Sequence, residues 1–239
     1  MPEALTGKIR QKNKNTDMKN ECLLVAGGKE NKIDLKFFHG FENVFVIACD
    51  KGYEYCVKQN VPIDFLCGDF DSCSLEIPEE KTIPFGVDVL PAHKDDTDLI
   101  YAVRYALKNG FRKISITCAG GGRADHFFSN VQAMVFAKTG GNGEYEIENP
   151  VKISLYDDEN EIFIIQNESI ELRKKENCSL SVLSFSDKSE GVTIRGTEYE
   201  VFDVTLSNRF PLGQSNEWRD EICNISVKNG ILLIILSKL

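Results

Sequence analysis

Acidic side chains follow several apolar runs in the first half of the chain, and their spacing suits metal binding. Carboxylates at loop tips supply the hard oxygen ligands that Mg²⁺ prefers. In an alternating loop, Asp69 and Asp71 present their carboxylates on the same side, and Asp98 can close the site from a neighbouring loop. The pattern predicts a Mg²⁺ site that accepts a metal-bound polyphosphate. Acidic loop tips are also common as solvated turns, so the prediction depends on several such loops coinciding.

Four segments with acidic or glycine-rich residues each follow an apolar run. They are residues 50–52 (DKG), 68–72 (GDFDS), 95–98 (DDTD) and 120–126 (GGGRADH). Gly121 and Gly122 allow backbone amides to approach phosphate oxygens at the start of a helix. Arg123 can form paired hydrogen bonds with a phosphate and stabilise charge that develops during its transfer. Taken locally, the same residues also fit a glycine-rich turn with a surface arginine, and His126 also fits a structural hydrogen-bonding role.

Two further features are open to a functional and a structural interpretation. Gly27 and Gly28 lack the GxGxxG spacing of a dinucleotide site, so they either end a strand or let a nucleotide come close. In the second half, residues 215–218 (SNEW) contain the only tryptophan of the chain. Trp218 and Tyr199 can each stack on a flat cationic heterocycle or pack in a core.

The elements that position these residues are predicted from the hydrophobic pattern. Over the first 140 residues or so, short apolar runs alternate with helical patterns, which predicts a mostly parallel α/β sheet. One helix is expected to start at Asp96 and Thr97, with Asp96 as a candidate N-cap, and to stop at Asn109 and Gly110. A second is expected over about residues 125–138. Ligands of open α/β sheets bind at the carboxyl ends of the strands, where all four segments fall.

The pattern changes in the second half of the chain. From about residue 151 onward the apolar runs are short or alternate with period two, which predicts an antiparallel β-sandwich or barrel. The expected organisation is a polar, disordered extension over residues 1–17, an α/β domain over residues 18–158 and an all-β domain over residues 159–239.

Composition excludes several classes of protein. The chain has 239 residues and a formal net charge of −9, which disfavours binding to nucleic acid. Its eight cysteines are too dilute for a disulfide scaffold and form no C-x-x-C pair, which is typical of reduced thiols in the cytoplasm. Residues 1–17 lack the apolar stretch of a signal peptide. The longest apolar run, residues 231–236, is far shorter than the ~20 residues that cross a bilayer, so no membrane association is expected.

In order and spacing, these motifs resemble the thiamine pyrophosphokinase (thiamine diphosphokinase) family, and more its bacterial form. The family patterns P-D-x-x-x-G-D-[FL]-D-S, D-x-T-D and G-G-R-x-D-H are similar to residues 62–72, 95–98 and 121–126. In the β domain, G-x-x-[YW] and S-N-E are similar to residues 196–199 and 215–217. The resemblance extends over about residues 20–238.

The resemblance implies an enzyme that transfers the terminal diphosphate of ATP to the hydroxyl of thiamine and releases AMP. It also implies Mg²⁺ dependence and a homodimer with active sites between its subunits. The implied metal ligands are Asp69, Asp71 and Asp98, and the implied catalytic residues are Asp71, Asp98 and Arg123. The implied ATP-binding residues are Gly27, Gly28, Asp50, Gly52, Asp69, Asp71, Thr97, Gly121, Gly122, Arg123, Asp125 and His126. The implied thiamine-binding residues are Asp98, Tyr199, Ser215 and Asn216.

Two other functions use the same residues differently. A metal-dependent nucleotide pyrophosphohydrolase would use the acidic loops with water as the acceptor and would need no thiamine. A non-enzymatic thiamine- or nucleotide-binding protein would keep the pocket but is expected to lose a metal carboxylate. Because Asp69, Asp71 and Asp98 are all present, the sequence favours an enzyme.

Overall fold

The computed structural model describes residues 19–38, 43–93, 95–145 and 149–239. The predicted extension over residues 1–17 lies outside the described residues. The chain divides into two compact units, which meet in sequence between Ile153 and Ser154.

The first unit contains a parallel sheet with the strand order β4-β3-β2-β1-β5. The strands are β1 (Glu21–Val25), β2 (Val44–Cys49), β3 (Phe65–Gly68), β4 (Val87–Val89) and β5 (Lys113–Thr117). The helices are α1 (Gly52–Lys58), α2 (Asp98–Lys108) and α3 (Ala124–Lys138), and short 3-10 turns lie at Leu35–Phe37 and Glu80–Thr82. Every residue of β2 and β3 is buried, as expected of parallel strands with both faces covered.

The α2 helix starts and stops close to the predicted residues, but its cap differs from the prediction. Thr97 is the N-cap, and its Oγ1 accepts a hydrogen bond from the Ile100 backbone amide at 3.2 Å. The prediction that Asp96 is the N-cap is therefore wrong. The carboxylate of Asp96 instead accepts a hydrogen bond from Nε of Arg104 at 3.1 Å. Threonine is also a favourable N-cap residue, and its hydroxyl satisfies one of the free amides of the first turn.

The second unit consists of antiparallel strands. They are β6 (Lys152–Tyr156), β7 (Asn160–Gln166), β8 (Ser169–Arg173), β9 (Cys178–Ser184), β10 (Lys188–Arg195), β11 (Val201–Ser207), β12 (Ile222–Ser226) and β13 (Ile231–Lys238). In order, β6-β7-β13-β9 are consecutive neighbours within one sheet, and β11-β10-β12-β8 form a separate four-stranded sheet. The predicted fold class, an α/β region followed by an all-β region, is confirmed.

Alternating side chains of the second unit form one apolar core. In β13 the buried residues are Leu232, Ile234 and Leu236, while their neighbours are only partly buried. Buried residues of β10 and β12 pack in the same cluster. The apolar run over residues 231–236 is thus a strand with one fully buried face. Among the described residues, no helix is long and apolar enough to cross a membrane.

Candidate active site

Three carboxylates converge at the carboxyl ends of β2 and β3. Asp50 comes directly after β2, and Asp69 and Asp71 come directly after β3. One carboxylate oxygen from each of the three lies within 4.8 Å of the others. The two strands are parallel neighbours, with Cys49 opposite Cys67, so their following loops necessarily meet.

The backbone around Asp50 is shaped to hold its carboxylate in this position. Asp50 has a φ of 50°, and its amide donates to the carbonyl oxygen of Cys67 at 2.9 Å. A Cβ on Gly27 would lie 3.0 Å from Oδ2 of Asp50, and a Cβ on Gly68 would lie 2.9 Å from the Asp50 amide nitrogen. Both glycines therefore make room for Asp50, which gives Gly27 a structural role beside the acidic group.

The two oxygens of the Asp50 carboxylate have different surroundings. Oδ2 accepts a hydrogen bond from Oγ of Ser72 at 2.6 Å. Oδ1 is buried and has no hydrogen-bond partner among the described residues. A buried, unpartnered carboxylate oxygen is costly unless a cation or donor meets it. The carboxylates of Asp50, Asp69 and Asp71 are the kind of donors that Mg²⁺ prefers, so these residues fit the metal.

The loop after β3 turns both of its carboxylates away from the core. Phe70, between them, is buried at 9% exposure and has a φ of 57°. The amide of Asp71 donates to Oδ1 of Asp69 at 3.2 Å, which fixes the turn. As the sequence predicted, the carboxylates of Asp69 and Asp71 are close together, and both belong to the group that also contains Asp50.

Asp98 is the first residue of α2 and lies outside the group of three carboxylates. It is still within electrostatic range of the end of β3. The pKa of the buried Cys67 thiol is raised well above its ordinary value, first by its hydrogen bond with Cys49 and by burial, and then by the charges of Cys49, Asp98 and Asp88. The structure thus groups Asp50 with Asp69 and Asp71, where the sequence suggested Asp98, and the assignment of Asp98 to the metal stays a prediction. Thr97, another predicted ATP ligand, uses its hydroxyl to cap α2.

The glycine-rich turn after β5 has an exposed backbone. Gly121 and Gly122 both have a φ of 70°, and both are exposed. A Cβ on Gly122 would meet nothing within 4 Å, so the space beside this residue is open. The side-chain amide of Asn130 donates to the carbonyl oxygen of Ala119 at 2.8 Å and anchors the turn to α3. The turn can therefore present amides to an anion, as the sequence suggested.

Arg123 and Asp125 form a bidentate ion pair with each other. Nε donates to Oδ1 at 3.1 Å, and Nη2 donates to Oδ2 at 2.6 Å. Asp125 also accepts a hydrogen bond from the backbone amide of the exposed His126. The hydrogen bond from Arg123 is the main reason that the pKa of Asp125 falls to about 2. A phosphate that binds Arg123 must therefore compete with Asp125.

The loop over residues 215–218 in the second unit is built around a fully hydrogen-bonded side chain. Nδ2 of the buried Asn216 donates to Oγ1 of Thr197 at 3.1 Å and to the carbonyl oxygen of Tyr199 at 2.8 Å. Its Oδ1 accepts from the amides of Tyr199, at 3.0 Å, and Glu217, at 2.9 Å. All four hydrogen bonds that an amide side chain can make are used internally.

The other predicted residues of this loop differ in exposure. The ring of Tyr199 is 67% exposed, and Ser215 is exposed with a φ of 55°. Trp218 is partly buried and packs against the core of the second unit. The structure therefore supports the packing interpretation for Trp218 and leaves the exposed ring of Tyr199 accessible.

Two residues of a predicted motif matter for the geometry, although the sequence assigned neither of them a role of its own. Ser72 and Gly68 flank the two aspartates of the same motif, and both act on Asp50. The available signal was their position in the motif; nothing local indicated contact with a residue about 20 positions earlier.

Comparisons with known proteins agree with the resemblance seen in the sequence. The family models "Thiamin pyrophosphokinase, catalytic domain" and "Thiamin pyrophosphokinase, vitamin B1 binding domain" match residues 41–142 and 167–232, one in each unit. The curated thiamine pyrophosphokinase of Bacillus subtilis (strain 168) is 30% identical over 218 residues, which are 90% of this chain and 97% of the relative.

Solved structures of such enzymes share the fold. The crystal structure of thiamine pyrophosphokinase from Bacillus subtilis has a TM-score of 0.77 at 29% identity and covers 92% of this chain and 99% of its own. That of thiamin pyrophosphokinase from Geobacillus thermodenitrificans has a TM-score of 0.74 at 27% identity, covering 92% and 98%. Because a family model matches a segment of each unit, and a relative with 30% identity covers 90% of the chain, this chain belongs to the thiamine pyrophosphokinase family.

Proposed function

We propose that this enzyme transfers the terminal diphosphate of ATP to the hydroxyl of thiamine, producing thiamine diphosphate and AMP. The observation that carries the proposal is the group formed by Asp50, Asp69 and Asp71. One oxygen of Asp50, a member of this group, is buried without a hydrogen-bond partner among the described residues, which supports a site that takes a cation.

Asp50, Asp69 and Asp71 would hold Mg²⁺, with Asp98 as a further candidate ligand from the adjacent loop. When bound, Mg²⁺ would neutralise negative charge on the polyphosphate. The hydrogen bond from Ser72 fixes one oxygen of Asp50, which orients the other toward the cation.

The transfer itself needs one bond formed and one broken. The hydroxyl oxygen of thiamine attacks the β-phosphorus, and the bond from that phosphorus to the oxygen bridging the α- and β-phosphates breaks. AMP leaves with the electron pair of the broken bond. The hydroxyl proton passes to a carboxylate, for which we assign Asp98. Arg123 stabilises the charge on the phosphate oxygens once it is released from Asp125.

On the thiamine side we assign Tyr199, Ser215 and Asn216. The exposed ring of Tyr199 can stack on the cationic thiazolium of thiamine. Since the amide of Asn216 is already used within the loop, its contribution is to hold the backbone of Tyr199 in place. The family resemblance further implies a homodimer with active sites between subunits. We place the enzyme in the cytoplasm because its eight free cysteines are typical of a reducing compartment.

The test is the product balance with and without thiamine. The purified chain is incubated with ATP and MgCl₂, and AMP and thiamine diphosphate are quantified by chromatography. We expect both products in equal amounts, only with thiamine, with almost none from the Asp71→Asn variant. A matched control is Glu79→Gln, which removes an exposed carboxylate paired with Lys81.

Two outcomes would reject the proposal. Equal AMP formation without thiamine would indicate a nucleotide pyrophosphohydrolase. Binding of thiamine without any turnover would indicate a non-enzymatic binding protein.

A further inference from the structure

Lys29 lies in the loop that follows β1, between two of the proposed substrate-binding loops. Strand β1 pairs with β2 on one side and with β5 on the other. The amide of Gly28 donates to the carbonyl oxygen of Cys118 at 3.0 Å, and the hydroxyl of Tyr55 donates to the carbonyl oxygen of Gly28 at 2.7 Å. These two bonds fix the residue before Lys29 against the loop that leaves β5.

The side chain of Lys29 extends over the glycine-rich turn. Its Cδ lies 3.1 Å and its Cβ 3.7 Å from the position that a Cβ of Gly121 would occupy. The aliphatic part of Lys29 therefore covers the backbone of Gly121. Because the ammonium group is two bonds beyond Cδ, it lies beside the same turn, whose amides are suited to an anion.

Within the described part of the chain, no carboxylate neutralises the charge of Lys29. Lys29 is exposed and forms no ion pair among the described residues. Two other cations of this unit are neutralised: Arg123 pairs with Asp125, and Lys58 pairs with Glu30. An unpaired ammonium beside exposed glycine amides, in a chain with a net charge of −9, is a local site for a phosphate group.

We propose that Lys29 is a substrate-binding residue that contacts the polyphosphate of the nucleotide from the side of the glycine-rich turn. This role deepens the proposed function and rests on it for the identity of the nucleotide. The lysine lies outside every sequence motif discussed above, and it would act while Arg123 is still paired with Asp125. It therefore provides the first cationic contact for an incoming metal-bound triphosphate.

The test is direct binding of the magnesium complex of α,β-methylene-ATP, which lacks the cleavable bridging oxygen. Isothermal titration calorimetry is carried out on the full chain and on Lys29→Met, Lys29→Arg and Lys58→Met. Methionine retains much of the apolar stem over Gly121 but removes the charge. We expect Lys29→Met to weaken binding about tenfold, the size of one charge-assisted hydrogen bond, and Lys29→Arg to retain most of the affinity. Lys58→Met should bind like the unmodified chain.

The outcomes separate this inference from the proposed function. Equal affinity of Lys29→Met and the unmodified chain, an equal loss in Lys58→Met, or no binding by the unmodified chain would each overturn the role of Lys29. The unmodified chain could form no thiamine diphosphate while Lys29→Met still binds the nucleotide analogue more weakly. That result would reject the proposed function but support Lys29 as a polyphosphate-binding residue.

Discussion

The Asp50 carboxylate in the first unit and the Asn216 side-chain amide in the second differ in how many of their polar atoms have hydrogen-bond partners. One oxygen of Asp50 accepts from Ser72, and the other is buried without a hydrogen-bond partner among the described residues. Asn216 makes four hydrogen bonds, all within its own unit. The first arrangement leaves capacity for a ligand, whereas the second uses all of its capacity to build the loop that carries Tyr199.

This difference distinguishes residues that bind a ligand from residues that position other groups, even where both belong to motifs of the family. A polar atom buried without a partner costs stability, so a fold retains it where a ligand compensates. A saturated amide contributes to stability with or without a ligand. We therefore expect substitutions at the acidic group to affect activity more than stability, and substitutions at Asn216 to do the reverse.

The largest effect is expected from Asp50→Asn. Asparagine tolerates the φ of 50° and keeps an acceptor for Ser72, so the fold should be retained. The lost charge weakens the metal site, and we expect kcat for thiamine diphosphate formation to fall about 10³-fold. Steady-state kinetics beside urea unfolding tests this, with Glu79→Gln as the matched surface control. Activity within tenfold of the unmodified enzyme would remove Asp50 from the metal site.

The next effect is expected from Asn216→Ala and concerns stability. The change leaves the amides of Tyr199 and Glu217 without their acceptor and removes the donor to the hydroxyl of Thr197, so the free energy of unfolding should fall by about 3 kcal/mol. Urea denaturation measures it. Asn208→Ala, which removes an exposed hydrogen bond to Asp187, is the control and should change little. Unchanged stability together with a large rise in the KM for thiamine would show that Asn216 binds substrate directly.

A smaller effect is expected from Ser72→Ala, which removes the hydroxyl that fixes one oxygen of Asp50 at 2.6 Å. Loss of such a partner typically weakens metal binding, here by about tenfold, while the three carboxylates remain. Titration with Mn²⁺ followed by electron paramagnetic resonance reports the affinity. Ser72→Thr keeps the hydroxyl and should bind Mn²⁺ nearly as well as the unmodified chain. Equal affinities for the alanine and threonine variants would argue against a positioning role.

The smallest effect concerns the pH dependence of the ion pair between Arg123 and Asp125. Arg123 lowers the pKa of Asp125 from its ordinary value of 3.8 to about 2 in the folded chain. The pair therefore contributes its full, small stabilisation above pH 3.8 and loses it as the pH falls toward 2. Carboxyl ¹³C NMR should show this low pKa and its return toward 3.8 in Arg123→Gln. An unchanged pKa in the variant would mean that another group stabilises the carboxylate.

Much of the fold could be predicted because it depends on local patterns. Period-two alternation and continuous apolar runs distinguish the antiparallel strands from the parallel ones, and Asn109 with Gly110 ends α2 as expected. The N-cap of α2 was less predictable, because Asp96 and Thr97 are adjacent and both are good caps. In the structure Thr97 is the cap, and Asp96 instead accepts a hydrogen bond from Arg104, eight residues later in the chain.

The candidate site could be predicted only in part. That the loop containing Asp69 and Asp71 meets other polar loops follows from the parallel topology, since carboxyl ends share one edge. That Asp50 joins them, with Asp98 outside the group, depends on β2 lying next to β3 and on the left-handed backbone at Asp50.

The class of fold, the family and the chemical character of the loops can all be read from the sequence, because they depend on residue types and on spacing along the chain. The tertiary structure decided which groups meet: Ser72 with Asp50, Asn216 with Tyr199, and Lys29 with Gly121. Each of these contacts joins residues 17 to 92 positions apart in the printed sequence. No local pattern encodes such pairings, since they arise when strand order and register bring separate loops to one place.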